Sequence, residues 1–133
     1  MGSDRSAAVL DSGAVIALAR GDRELRRRLA DAEAAGREVR IPVVVFAETT
    51  RGRGPRDAAV NRVLNHCDPP RPLDERLARR AGALLAAARS QATIDALVVA
   101  EAIEMQPAVI FTSDPDDLRR LAAGHPQVAV VRV

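Results

Sequence analysis

The sequence predicts a single α/β domain built on a parallel β-sheet with helices on both faces. Short apolar segments that read as strands are separated along the chain by segments with helical periodicity. No turn signal typical of a β-hairpin joins any two of these strands. At 133 residues the chain has room for one hydrophobic core but not for two. We therefore expect a sheet of four to five strands over residues 7–133, with residues 1–6 as an N-terminal extension or an expression remnant.

Strand and helix patterns follow one another in a regular order. Strands are predicted at residues 7–10, 39–41, 108–111 and 128–133. Helices are predicted at residues 14–19, 22–36, 42–52, 56–67, 75–88, 90–105 and 115–122. The helix from residue 90 is apolar on most sides, which indicates a buried position beside the sheet. This alternation of strands and helices is typical of a parallel sheet.

The segment that follows Pro42 has conflicting signals. Its residues VVVF have strand propensity. Proline is nevertheless favoured at the first position of a helix, and a helix here would carry Glu48 near its end. Local propensity alone does not resolve this segment.

The charged residues exclude several classes of protein. All 20 basic residues are arginine, so a phosphate-loop ATPase, a Schiff-base enzyme and a receiver domain each lack the lysine that they require. The net charge is only +2, and the arginine bias is also what a GC-rich genome would produce. With two phenylalanines and no other aromatic residue, the chain lacks a platform for stacking bases. No apolar run approaches the roughly 20 residues of a membrane helix, so we expect a cytoplasmic protein that does not enter a membrane.

Four acidic residues are candidates for one site. Asp11 and Asp114 each follow a predicted strand, Asp95 lies in the first turn of a helix, and Glu48 lies near the end of another. Parallel sheets bind ligands beyond the carboxyl ends of their strands, where these residues are expected to meet. Four carboxylates in one crevice repel one another unless a cation neutralises them. Mg²⁺ or Mn²⁺ is the natural candidate because no paired histidines or cysteines favour zinc.

Helix capping is the alternative explanation for three of these carboxylates. Aspartate is a favoured N-cap, and Asp11, Asp95 and Asp114 all have cap-like positions. Glu48 is the member that capping explains least, because it lies away from any helix start. Asp74 opens a strongly periodic helix, and we interpret it as a cap.

Several neighbouring residues are candidates for auxiliary roles. Thr112 and Ser113 have hydroxyls that would bind water on the metal or a carboxylate oxygen. Asp116 and Asp117 suit the first turn of a helix, where they favour the helix dipole, and either could also reach the metal through water. Arg51 and Arg53 follow Glu48 closely and could contact a substrate phosphate, although a solvated face is the simpler interpretation of this cluster. The remaining candidates, His66, His125 and Cys67, have no partner at a readable spacing, and we interpret both histidines as surface residues.

Four segments together resemble a known family. They are VLDSGAVIALARGD, PVVVFAETTRG, IDALVVAEA and FTSDPDDLRRLA, and their order and spacing are similar to those of a PIN-domain ribonuclease of the VapC toxin type. The resemblance covers nearly the whole chain. It implies a Rossmann-like sheet, a helix for the VVVF segment, and a Mg²⁺- or Mn²⁺-dependent endoribonuclease.

The resemblance also implies site residues and partners. Its acidic positions match Asp11, Glu48, Asp95 and Asp114, with Asp116 or Asp117 contributing in related proteins. Many relatives carry a further acidic residue where this chain has Ala92, so we expect one firmly held ion and a second recruited mainly by the substrate. The implied partners are an RNA substrate, a cognate VapB-type antitoxin that blocks the crevice, and a second copy of the toxin in a homodimer.

Two classes of function remain after this reasoning. In the first, the carboxylates hold the metal, a water activated by it attacks the RNA phosphodiester in line, and a 3′-hydroxyl and a 5′-phosphate result. In the second, the chain is a non-catalytic binding module whose acidic crevice receives a basic peptide from a partner. Metal binding discriminates between the two.

Overall fold

The computed structural model describes residues 5–52 and 54–133, and within them the chain forms four strands and seven helices. The strands are β1 (Ala7–Leu10), β2 (Val39–Arg40), β3 (Ala108–Thr112) and β4 (Val128–Arg132). The helices are α1 (Ser12–Ala19), α2 (Arg23–Ala34), α3 (Val43–Thr49), α4 (Pro55–His66), α5 (Glu75–Ala88), α6 (Thr93–Glu104) and α7 (Pro115–Leu121). Part of the expected N-terminal extension, residues 1–4, lies outside the described residues, as do Arg53 and the side chain of Arg56.

The sheet has the strand order β2-β1-β3-β4, and every neighbouring pair is parallel. The two central strands are paired in register, with Leu10 opposite Phe111. The backbone N–H of Asp11 donates to the carbonyl of Phe111 at 3.2 Å, which continues the pairing by one residue. Because β1 and β3 are neighbours and point the same way, the residues that follow them emerge at the same edge of the sheet. The predicted parallel α/β sheet is confirmed, with four strands.

Helix α6 is the helix that lies deepest in the core. Seven of its twelve residues are buried, and it contacts β1, β3 and β4. This agrees with the apolar pattern of its sequence. Helices α1 and α2 also pack against β1, so helices enclose this central strand. Its residues Val9 and Leu10 have no exposed surface. The start of α6, where Asp95 lies, is thereby held close to the ends of the central strands.

Helix α3 resolves the conflict in the VVVF segment in favour of helix. Pro42 is the residue before the helix rather than its first residue. The helix ends at Thr49, earlier than the predicted end at residue 52, and Thr50 is already extended. The hydroxyls of Thr49 and Thr50 donate to carbonyls four residues back, at 2.8 and 2.7 Å, so they satisfy acceptors of the last turn. Arg51 therefore lies in the loop that follows α3.

The start of α6 also differs from the prediction. The helix begins at Thr93, not at residue 90, and Ala92 takes the N-cap position without a side-chain cap. The hydroxyl of Ser90 accepts a hydrogen bond from the N–H of Ala92 at 3.1 Å, and this local bond holds the preceding residues in a turn. Asp95 is consequently the third residue of the helix.

Within the described ranges, no single helix is long and apolar enough to cross a membrane. Helices α5 and α6 pass that test together only as a pair bent by 115°, by length and composition alone.

Candidate active site

Asp11 lies at the junction of β1 and α1. Its carboxylate accepts a hydrogen bond from the N–H of Ala14 at 3.0 Å. Asp11 therefore caps α1, as the capping interpretation of this residue predicted. Only 8% of the residue is exposed. Burial raises the pKa of Asp11, while hydrogen bonds from the Thr112 hydroxyl and from the backbone of Ala14 and Gly13 oppose that rise, and the charge of Glu48 adds to it. Asp11 is therefore a cap that also faces a second carboxylate.

Asp95 is the residue on which the acidic side chains converge. Burial, followed by the negative charges of neighbouring carboxylates, raises the pKa of Asp95 to about 6. In order of their effect these neighbours are Asp11, Asp117, Glu48 and Asp114. Asp11 is the N-cap of α1, Asp117 lies in α7 and Glu48 lies in α3. Asp114 lies at the junction of β3 and α7. The structure thus brings all four sequence-predicted carboxylates together and adds Asp117 to them.

The two aspartates in the first turn of α7 have different environments. Asp117 is half-buried and acts on Asp95, whereas Asp116 is exposed and is not among the charges that raise the pKa of Asp95. Sequence reasoning did not distinguish these two residues. The geometry of α7 distinguishes them, because consecutive helical residues point in directions about 100° apart.

Capping does not account for Asp114. It occupies the N-cap position of α7, but its side chain makes no capping hydrogen bond. Asp74, by contrast, accepts a hydrogen bond from the N–H of Leu77 at 2.9 Å and caps α5, as the sequence predicted. Asp114 and Glu48 are both exposed, so the acidic cluster is buried at Asp11 and open to solvent on its other side.

Thr112 and Ser113 lie between the carboxylates of the two central strands. Thr112 is the last residue of β3 and is fully buried. Its hydroxyl oxygen accepts a hydrogen bond from the N–H of Asp114 at 3.0 Å and contributes a hydrogen bond to Asp11. Ser113 is exposed and lies against Gly13 of α1. The hydroxyl of Thr112 therefore orients a carboxylate, which is one of the two roles expected for it.

The donors of this cluster fit a hard divalent cation in a hydrated form. Within residues 5–52 and 54–133, no group of three or more acidic, histidine or cysteine side chains stands close enough to hold a metal ion directly. The negative charges of neighbouring carboxylates nevertheless raise the pKa of Asp95, and the charge of Glu48 raises the pKa of Asp11. Mg²⁺ usually keeps several waters and binds through one or two carboxylates, so it does not require three close ligands from the chain. Bare carboxylates at this spacing repel one another, and a cation would relieve that repulsion.

The loop after α3 is held by a residue that sequence reasoning missed. Asp57 is 6% exposed, and its carboxylate accepts hydrogen bonds from the N–H groups of Arg51 and Gly52 at 2.9 and 2.8 Å. Its position in the first turn after Gly54 and Pro55 is the signal that could have identified it, although the residues it would hold are visible only in the fold. The guanidinium of Arg51 is exposed and donates to the carbonyls of Ala47 and Thr50, at 3.3 and 3.0 Å. Arg53, the other predicted phosphate contact, lies outside the described residues.

The histidines and the cysteine lie away from the acidic cluster. His66 is exposed and contacts Glu33 at 3.1 Å, while His125 is half-buried rather than fully on the surface. Burial, together with the charges of Glu33 and Asp68, raises the pKa of the Cys67 thiol to about 11. A thiol with so high a pKa is a poor nucleophile and a poor metal ligand.

A parallel sheet with an acidic cluster at the carboxyl ends of its central strands defines the class of this domain. The family model described as the PIN domain matches residues 8–124, and the chain belongs to the PIN-domain family. The predicted resemblance is thereby confirmed at the level of the family.

One solved structure similar to this fold is the crystal structure of VapBC2 from Rickettsia felis bound to a DNA fragment from their promoter. The TM-score is 0.72, the identity is 15%, and the alignment covers 95% of this chain and 98% of the other. At this identity the likeness shows the fold alone. A comparison with curated proteins finds no match.

Proposed function

We propose that this PIN domain is a metal-dependent endoribonuclease and the toxin of a toxin–antitoxin pair. The observation that carries the nuclease proposal is the convergence on Asp95 of carboxylates from three other helices and their N-caps, α1, α3 and α7. A cluster of this kind is electrostatically unfavourable without a cation, so the fold holds together groups that repel one another. Such an arrangement is typical of a functional site rather than of a structural ion-pair network.

Asp11, Asp95 and Asp114 are the residues proposed to hold Mg²⁺ or Mn²⁺, with Glu48, Asp117 and Thr112 in support. When bound, the ion supplies positive charge for a reacting phosphodiester and lowers the pKa of a coordinated water. Buried Asp11 fixes the inner end of the site through its bonds to α1 and Thr112. Glu48 and Asp114 are exposed and line its open side, where an extended RNA strand would have access and where Glu48 would orient water. Products with a 3′-hydroxyl and a 5′-phosphate are expected.

The proposed stoichiometry is one firmly held ion. Ala92, where many relatives have an acidic residue, offers only a methyl group at the start of α6. A second ion would then be bound mainly through substrate phosphates. Titration with Mn²⁺ in the absence of RNA should saturate near one ion per chain.

The proposed partners are RNA, a VapB-type antitoxin and a second copy of this chain, all in the cytoplasm. An antitoxin with a basic segment would place positive charge against the open side of the acidic cluster.

The two large hydrophobic side chains that are exposed in the described residues are Val43 and Leu73. They line the same small cleft with Leu77 and Leu97 and would be covered in a dimer. Light scattering of the parent chain beside Leu73→Glu tests the dimer: a monomeric parent contradicts it.

Cleavage of RNA tests the function. The parent chain, Asp11→Asn, Asp95→Asn and the control Asp74→Asn are purified and assayed with Mg²⁺, with Mn²⁺ and with EDTA. Asparagine preserves the α5 cap, so Asp74→Asn should keep the activity of the parent. We expect cleavage by the parent and by this control only when metal is present, and mapped ends that carry a 5′-phosphate. Equal cleavage by all four proteins would contradict the proposal.

The alternative is a non-catalytic binding module that receives a basic peptide in the same cluster. It has the same acidic residues but needs no metal. Thermal melting with and without Mn²⁺ discriminates between the two, since a ligand that binds only the folded state raises the melting temperature. A parent whose melting temperature is unchanged by millimolar Mn²⁺ and which binds basic peptides would favour this alternative.

A further inference from the structure

The two acid-bearing segments of the site approach each other closely at Gly13. This residue lies in the first turn of α1, two positions after Asp11. A Cβ atom built on Gly13 would lie 2.0 Å from the hydroxyl oxygen of Ser113, 2.9 Å from its Cβ and 3.0 Å from its backbone nitrogen. Real Cβ atoms essentially never approach other atoms below 3.0 Å. A side chain at position 13 would therefore turn the Ser113 hydroxyl away and shift the Cβ and backbone of the segment that contains Ser113 by a few tenths of an ångström.

The displaced segment is the one that carries Asp114. Ser113 connects the end of β3 to α7, and its next residue is Asp114. The backbone of that segment is held on one side by the hydrogen bond from the N–H of Asp114 to the Thr112 hydroxyl. On its other side it lies against Gly13, whose own N–H contributes a hydrogen bond to Asp11. The absent side chain at position 13 thus lets the two acid-bearing segments pack directly against each other.

The contact is specific to this glycine. Gly82 in α5 and Gly124 have no atom within 4 Å of a built Cβ, so an added methyl group there meets open space. A glycine inside a helix is less favourable than alanine by about 1 kcal/mol, because it loses more backbone freedom on folding. Gly13 therefore lowers the stability of α1 relative to alanine, at a position where the close contact with Ser113 leaves no room for a side chain.

We propose that Gly13 is a positioning residue that sets the separation between Asp11 and Asp114, and that a side chain at this position impairs metal binding. This inference rests on the proposed function, because the metal is its readout. It adds to that function a residue that touches neither metal nor substrate.

A double-mutant cycle between Gly13 and Ser113 tests the proposal. The proteins are the parent, Gly13→Ala, Ser113→Gly and the double variant, with Gly82→Ala as the matched glycine control. Ser113→Gly removes the two nearest contacts, the hydroxyl and the Cβ, and keeps the backbone nitrogen at 3.0 Å from the new methyl group. Mn²⁺ affinity is measured by titration, and stability in EDTA by urea denaturation.

We expect Gly13→Ala to bind Mn²⁺ about tenfold more weakly than the parent, which is a typical cost of disturbing the surroundings of metal ligands. Gly82→Ala should bind within twofold of the parent, and the affinity of Ser113→Gly is the reference against which the double variant is compared. The double variant should recover most of the lost affinity, which a loss caused merely by altered helix stability would not do. In EDTA the same cycle should show that Gly13→Ala is tolerated better when Ser113 is glycine.

The two proposals fail in distinguishable ways. A parent that binds no Mn²⁺ contradicts the proposed function, and the cycle in EDTA then decides whether the Gly13 contact exists. Parent-like Mn²⁺ affinity in Gly13→Ala overturns the inference. So does a double variant whose affinity stays as low as that of Gly13→Ala while Ser113→Gly alone binds normally. If Gly13→Ala does not fold, recovery of both folding and Mn²⁺ affinity in the double variant supports the inference, and its absence overturns it.

Discussion

The hydroxyl of Thr112 accepts a hydrogen bond from the backbone N–H of Asp114 at 3.0 Å, at the point where β3 ends. The same hydroxyl contributes a hydrogen bond to Asp11, at the end of the neighbouring strand. Through this one buried group, the Asp11 carboxylate and the backbone of Asp114, which are 103 positions apart in the chain, share a common support. The relationship explains why a residue without charge belongs to the acidic cluster.

Replacing Thr112 by valine should weaken both the fold and the metal site. The substitution keeps the shape of the side chain but removes the hydroxyl, and a lost buried hydrogen-bond partner costs about 1–3 kcal/mol. Since the bond to Thr112 opposes the rise in the pKa of Asp11, its loss raises that pKa further. We expect lower stability by urea denaturation in EDTA and weaker Mn²⁺ binding by titration. Thr112→Ser keeps the hydroxyl and is the control; identical behaviour of the two variants would refute the assigned role.

Replacing Asp95 by asparagine should stabilise the metal-free protein at high pH. The folded state raises the pKa of Asp95 from 3.8 to about 6, so it binds the proton more tightly than the unfolded chain does. Stability therefore falls as the pH rises from about 4 to about 6 and stays low above that window. In EDTA at pH 8 we expect Asp95→Asn to exceed the parent by roughly 1–3 kcal/mol, at about 1.4 kcal/mol per pKa unit. The gap should close below pH 4.

Added Mn²⁺ should reverse this order, because only the parent gains stability from binding the ion. Urea denaturation at pH 4 and pH 8, with and without Mn²⁺, measures the four values. An Asp95→Asn variant that is less stable than the parent in EDTA at pH 8 would count against the repulsion among these carboxylates.

Asp117 and Asp116 should behave differently although they are adjacent. Of these two residues, only Asp117 is among the charges that raise the pKa of Asp95. We expect Asp117→Asn to lower the pKa of Asp95, measured by NMR titration of its carboxyl, and to weaken Mn²⁺ binding. Asp116→Asn, which removes an exposed charge from the same helical turn, is the matched control and should change neither quantity. Equal effects of the two variants would mean that α7 contributes only long-range charge.

Glu101 should make stability depend on pH without affecting the site. It is 2% exposed in α6, and burial raises its pKa from 4.5 to about 6, against the opposing charges of Arg40 and Arg71. The folded state again binds the proton more tightly, so stability falls as the pH rises from about 4.5 to about 6. At pH 8 we expect Glu101→Gln to be more stable by about 2 kcal/mol, from about 1.4 kcal/mol per pKa unit. Mn²⁺ affinity should stay unchanged.

The control for this prediction is Glu75→Gln, which changes an exposed carboxylate on α5. Its unfolding free energy should follow that of the parent at every pH. A Glu101→Gln variant whose stability declines between pH 4.5 and pH 6 as steeply as that of the parent would show that this buried carboxyl is not responsible.

The sequence was sufficient for most secondary structure and for the candidate carboxylates. Strand β1 coincides with its prediction, and the apolar pattern of α6 correctly indicated its burial. Helix α3 was different, because its valines satisfy strand propensity locally. It is a helix because Pro42 precedes it and because Val45 is buried in the core of the fold. Propensity is a weak prior that such tertiary contacts override.

By itself the sequence determined a parallel α/β domain, an acidic residue at the end of each central strand, and the absence of lysine chemistry. These properties follow from local pattern and composition, which each residue carries wherever the chain places it. Only the tertiary structure decided that Asp117 rather than Asp116 faces Asp95, that Asp114 is not a cap, and that Gly13 lies against Ser113. Those relationships join residues from different elements, and their energies depend on distance and burial, which exist only once the sheet has brought the elements together.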